Sequence, residues 1–106
     1  MKTLWFLPLA SAIAASPAFA GMPSAERQAQ LHDMVVQDCG SCHGLTMRGG
    51  LGKSLLPADL ADTSDQAVAA VILDGVSGTP MPPWRGLIDD DEALWIARLL
   101  KQGLNR

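Results

Sequence analysis

The chain has 106 residues and a formal net charge of −3, from 8 basic and 11 acidic side chains. That length suits one domain with a small core. The acidic balance excludes nucleic acid as a partner class, which requires a basic surface.

Residues 1–20 read as an export leader rather than as fold. Lys2 supplies a positive start, the stretch 4–15 is almost wholly apolar, and Ala18-Phe19-Ala20 is a small-x-small cleavage site. An apolar run of about 12 residues falls short of the ~20 that a bilayer-crossing helix needs. The alternative is a retained membrane anchor. Cleavage after Ala20 leaves 21–106 as a single domain in the periplasm, with no membrane attachment.

Ser24 can cap a first helix that runs to about residue 39, with Glu26 in its first turn. Leu31, Met34, Val35 and Val36 form its apolar stripe, which continues onto Cys39 and Cys42. His32 lies beside the stripe and reads as a solvated surface histidine.

The stretch Cys39-Gly40-Ser41-Cys42-His43 is the attachment signature of a c-type haem. On a turn ending a helix, two sulfurs at this spacing can reach the two vinyl groups on one edge of a porphyrin. The imidazole that follows then falls under the ring, aimed at the iron. A bare pair of cysteines could instead form a disulfide, a dithiol redox couple or half a zinc site. A zinc site would need further ligands, and the only histidine besides His43 is His32. No strand-helix-strand pattern supports a thioredoxin-like couple. With haem attached, neither cysteine is left for a disulfide.

Gly44, Gly49, Gly50 and Gly52 then make a loop able to wrap a flat cofactor closely. Leu55, Leu56 and Leu60, around Pro57, read as pocket wall. Thr63 or Ser64 caps a helix through Leu73, Thr63 with Gln66 offers a capping box, and Gly75 suits a left-handed C-terminal cap. Val68, Val71 and Ile72 are its expected buried stripe. Pro80, Pro82 and Pro83 stiffen the loop around Met81 and fix where its thioether points. A last helix starts at Asp89 with Glu92 as capping box, buries Leu94, Trp95, Ile96, Leu99 and Leu100, and ends at Gly103. Asp89, Asp90, Asp91 and Glu92 read as helix-dipole partners rather than as a catalytic cluster. No alternating run is long enough for a strand, so the fold class is all-α.

In this order the pieces resemble the class I monohaem cytochromes c, over essentially all of 21–106. More narrowly they resemble the small periplasmic NirC-type cytochromes of denitrification operons, which accompany the cd-type nitrite reductase. The resemblance implies a cytochrome c-like fold, three to four helices around one covalently bound haem. It makes Cys39 and Cys42 the thioether anchors, His43 the proximal iron ligand and Met81 the distal one. Met47 and Met34 are the competing methionines. In the family a carbonyl of a Gly-Pro-x-Leu turn accepts the proximal imidazole's second N–H. Here that turn reads Gly52-Lys53-Ser54-Leu55, with lysine in the proline position but a carbonyl still available. The crossing of first and last helices, usually a glycine and an aromatic, falls at Leu31 and a buried Trp95. Trp84 either fills core or reaches a haem propionate.

A His/Met iron has no open position, which suits one-electron transfer, and no separate catalytic group is visible beside it. The resemblance implies a monomeric electron carrier, not an enzyme, whose redox-partner proteins are nitrite reductase as acceptor and respiratory cytochromes upstream. A role in maturing or loading the d-type haem of that reductase is the rival. A catalytic monohaem in which Met81 detaches is the third reading. Arg48, Lys53 and Arg85 fall in the loops expected to border the haem and are candidate docking cations.

Overall fold

In the computed structural model the described residues are 2–5, 7–11 and 21–104. They form an all-α fold with no strand among them. The expected cleavage site at 18–20 lies outside the described residues. None of the described helices is long and apolar enough to cross a membrane.

Helix α1 (Ala25–Met34) begins where Ser24 Oγ accepts the Arg27 N–H at 3.1 Å. That satisfies one of the donors a helix start leaves unpaired. The helix then passes without a break into a π-helical turn (Val35–Cys39) and a last α turn, α2 (Gly40–His43). In the π turn the Gly40 N–H reaches back to the Val35 carbonyl, one residue further than α geometry allows. Leu31 and Val35 are fully buried, whereas Val36, expected in the same stripe, is only half-buried. The wider turn rotates the residues after Val35 relative to a regular helix.

The stretch read only as pocket wall contains a short helix, α3 (Pro57–Leu60), with Pro57 at its first position. There the missing N–H would have had no partner anyway. Helix α4 (Asp65–Asp74) is capped by Ser64, whose Oγ accepts the Ala67 N–H at 3.1 Å, so Ser64 and not Thr63 is the cap. Its buried face is Val68, Ala69, Ile72 and Leu73. Val71 does not belong to it: it falls outside that arc and is 44% exposed. Gly75 ends the helix with φ +65° and ψ −168°. The positive φ was expected, but the ψ is not that of a left-handed cap, so the chain leaves extended.

Helix α5 (Asp90–Gln102) starts with the expected capping box, Asp89 and Glu92 each accepting the other's backbone N–H. Gly103 closes it. Its buried face is Ala93, Ile96, Ala97 and Leu100, and it packs against α4, α3 and α1. Trp95, expected to be buried at the α1 crossing, is half-buried. Two of the fully buried positions of α5, Ala93 and Ala97, are alanines, whose small side chains let the helices approach, and the third is Ile96.

Three polar clasps fasten α5 to its neighbours. Arg27 of α1 pairs with Glu92. Asp65 of α4 takes Lys101 at 3.0 Å and Arg98 at 3.4 Å. The half-buried His32, expected on a solvated surface, has Nε2 3.3 Å from the Leu104 carbonyl and ties α1 to the end of α5.

The Arg27 hydrogen bond holds the Glu92 carboxyl below its ordinary value, and Lys101 and Arg98 do the same for Asp65. A depressed folded-state value contributes stability above the unfolded value, ~4.3 for Glu and ~3.9 for Asp, and loses it as pH falls through the folded value. Thermal unfolding should therefore be flat from pH 7 to 5 and fall below pH ~4. Glu92→Gln should lower the midpoint at pH 7 by a few degrees and give a shallower acid fall. Parallel acid limbs for variant and parent would contradict this.

Candidate haem-binding site

His43 closes α2 and is half-buried. Its Nδ1 lies 2.7 Å from the Lys53 carbonyl oxygen. A carbonyl can only accept, so the proton of the neutral ring is on Nδ1 and the lone pair is on Nε2. Lysine in the proline position does not cost this bond, because the acceptor is backbone. Gly52 supports the same ring: a Cβ there would stand 2.6 Å from His43 Cε1 and 2.7 Å from Nδ1. The imidazole therefore packs on bare backbone, and only glycine leaves room for it.

The loop that supplies these contacts is tied to the helix end it follows. The Gly49 N–H donates to the His43 carbonyl and the Gly52 N–H to the Cys42 carbonyl, both at 2.8 Å. These are carbonyls a helix C-terminus leaves without partners. Gly44 makes the turn possible: it has φ +89°, and a Cβ there would lie 2.7 Å from the Gly49 carbonyl oxygen.

Cys39 and Cys42 are free thiols, both half-buried, three residues apart and so on one face of the helical turn. Cys39 packs against the hydrophobic core. Burial, with the Asp38 charge adding to it, pushes its thiol up to about 11. A dithiol redox couple works by lowering a thiol, so Cys39 is shifted the wrong way for that chemistry. Two free thiols beside an imidazole with its Nε2 lone pair available are the donor set a covalently attached haem requires.

Leu55 and Trp84, the expected wall residues, are half-buried and pack against the core. Met81 is half-buried in the loop between α4 and α5. Of the competing methionines, Met34 packs half-buried against the core. Met47 lies in the glycine-rich loop but not on the surface. It is 3% exposed and belongs to the core, with φ +62°. Its backbone is pinned, the N–H on the Gly44 carbonyl at 2.9 Å and the carbonyl accepting from Leu55 N–H at 2.8 Å. No local signal announces a methionine in a region that favours glycine or asparagine.

Arg85 also differs from its expected role. It forks onto Asp74 at 2.9 and 3.2 Å and reaches Asp90 at 3.1 Å, so its charge is taken up within the fold. Arg48 and Lys53 are exposed and form no ion pair among the described residues.

Known proteins resemble this chain in sequence and in fold. Residues 26–100 match the family model described as cytochrome C oxidase, cbb3-type, subunit III. Cytochrome c55X of Paracoccus denitrificans (strain Pd 1222) is 50% identical over 94 residues, spanning 89% of this chain and 91% of that one. A solved structure of the c-type cytochrome NirC superposes with a TM-score of 0.74 at 48% identity, covering 76% of this chain and 94% of that chain. The structure of dihydro-heme d1 dehydrogenase NirN in complex with DHE matches with a TM-score of 0.63 at 34% identity, over 70% of this chain and 16% of that chain.

Gly52→Ala tests the support of His43. The added carbon should displace the imidazole and break its bond to the Lys53 carbonyl. Covalent haem per polypeptide, measured by the haemochrome absorbance of purified protein, should fall several-fold. Parent-level haem content with an unchanged ferric spectrum would show that the ring needs no such support.

Proposed function

We propose a function from one premise: the chain belongs to the c-type cytochromes, within the cytochrome c55X group. It carries one covalently attached haem c and is an electron carrier rather than an enzyme. The finer reading is a monomeric periplasmic carrier that delivers single electrons to the cd-type nitrite reductase, exported by a leader removed after Ala20. The observation that carries it is the His43 ring, held through Nδ1 by the Lys53 carbonyl beside two free thiols.

The haem would supply one-electron chemistry, and thioether ligation beside imidazole ligation would favour reduced iron and raise its potential. Cys39 and Cys42 are its covalent anchors and His43 its proximal ligand. Met81 would hold the iron from the loop between α4 and α5, with Leu55 and Trp84 as wall. The loop that holds the His43 ring and the loop that bears Met81 are both hydrogen-bonded to helix ends, so little backbone has to move when the charge changes. Arg48 and Lys53, exposed beside exposed Leu45 and Leu51, give the His43 loop an apolar face with two cations. Such a face fits a brief encounter with an acidic partner surface, where charge governs the on-rate more than the affinity.

A second reading, service in maturation of the d-type haem, is favoured by one observation. A segment of an enzyme named for dihydro-heme d1 is built like this chain. The two readings separate experimentally. Reduced protein mixed with oxidised, fully loaded nitrite reductase should be oxidised rapidly in a stopped-flow instrument. Slow oxidation, together with a reductase that lacks d-type haem in a strain deleted for this protein, would replace the carrier reading by the maturation reading. In the carrier case, Arg48→Glu with Lys53→Glu should slow transfer several-fold at low ionic strength. The gap should close as screening shortens to ~8 Å near physiological salt, with the potential unmoved. Equal rates at low salt would remove these cations from the contact.

A further inference from the structure

We propose that the C-terminal end of α4 is the positioning device for Met81: Gly75 and the Asp74–Arg85 fork set the direction in which the thioether leaves its loop. This rests on Met81 being the distal ligand.

The loop leaves α4 through Gly75, whose φ of +65° and ψ of −168° lie in a region essentially restricted to glycine. A Cβ on Gly75 would stand 2.6 Å from the Met81 carbonyl oxygen, 2.8 Å from the Pro82 carbonyl carbon and 2.9 Å from the Pro83 nitrogen. All three are backbone atoms, so no flexible side chain can give way. Met81 is thus seated directly on the helix cap. The Val76 N–H donates to the Met81 carbonyl at 3.2 Å. Thr79 Oγ donates to the Val76 carbonyl at 2.7 Å and accepts the Met81 N–H at 3.3 Å, closing the loop on its outward side.

The returning side is held as well. Trp84 and Arg85 donate their N–H groups to the Ile72 and Leu73 carbonyls, each at 3.1 Å. Between Met81 and Trp84 stand Pro82 and Pro83, with fixed φ and no N–H, so the short span has no slack. The Arg85 guanidinium then grips Asp74, the last residue of α4, through two bonds. Met81 is pinned before, at and after its own backbone, and only its side-chain torsions stay free.

The test uses the holoprotein and four forms: parent, Met81→Ala, Gly75→Ala and Asp74→Asn. The readouts are the ferric sulfur-to-iron charge-transfer band and the affinity for added imidazole, with haem content and far-UV circular dichroism reporting the fold. Met81→Ala should lose the band. Gly75→Ala should weaken it and bind imidazole about tenfold more tightly or better. Asp74→Asn removes only an exposed ion pair. It should keep the fold and raise imidazole affinity roughly twofold to threefold. If Gly75→Ala yields no folded holoprotein, Asp74→Asn decides alone. Band and imidazole affinity at parent levels in Gly75→Ala and Asp74→Asn, with the band lost in Met81→Ala, would overturn the positioning role and leave Met81 as ligand. A band retained in Met81→Ala would overturn both.

Discussion

The 2.7 Å hydrogen bond from His43 Nδ1 to the Lys53 carbonyl is the contact around which the rest is arranged. It sets the tautomer and the plane of the ring in one step, and it does so with a backbone acceptor that no side-chain change can remove. For that carbonyl to reach the ring, ten residues of chain must fold back on the end of α2. They do so through Gly44, which turns at positive φ, and through Gly49 and Gly52, whose N–H groups cap the His43 and Cys42 carbonyls. Met47 anchors the middle of the loop in the core. The glycines are therefore a geometric requirement of a short loop that must touch both a helix end and an imidazole.

The Met81 loop solves the same problem in the same way. Helix α4 also ends with carbonyls lacking intrahelical partners. Here the Gly75 N–H takes Val71, and the N–H groups of Trp84 and Arg85 take Ile72 and Leu73. Each loop thus gains its rigidity by satisfying a helix C-terminus, which would otherwise need water. Helix α5 supplies the platform against which α1, α3 and α4 pack, and its alanines keep the elements close. Fixed helix ends give fixed loops, and fixed loops suit a group whose charge changes with little reorganisation.

How much of this was legible follows from how local each cause is. The caps at Ser24, Ser64 and Asp89–Glu92 are read from residues within one turn of each other, and the structure contains them. The Cys39-x-x-Cys42-His43 spacing is likewise local, lying at one helix end, whereas the Lys53 carbonyl was expected only from the family resemblance. What escaped depends on distant partners. Val71 is apolar at a helical spacing from Val68, but only the packing of α5 on α4 decides which side of that arc is covered. The π turn at Val35–Cys39 has neither glycine nor proline to announce it. Met47 at positive φ is held there by the core and by Leu55 and Ser54. Arg85 looked like a free loop cation because Asp74 lies eleven residues before it.

The reassignment of Arg85 changes the electrostatic picture of the whole surface. Within 21–104, Arg27 is spent on Glu92, Arg85 on Asp74 and Asp90, and Arg98 with Lys101 on Asp65. Arg48 and Lys53 are the cations of that region without an ion pair among the described residues, and both belong to the loop that grips His43. Within 21–104 the unpaired positive charge therefore lies in the loop that holds the His43 ring, in a chain whose net charge is −3. Neutralised pairs contribute little field beyond their own dimensions, whereas the two open cations, in the same loop as exposed Leu45 and Leu51, leave a positive field there. Lys53 thus contributes twice to one loop: its backbone carbonyl holds the His43 ring, and its exposed side chain adds charge beside it.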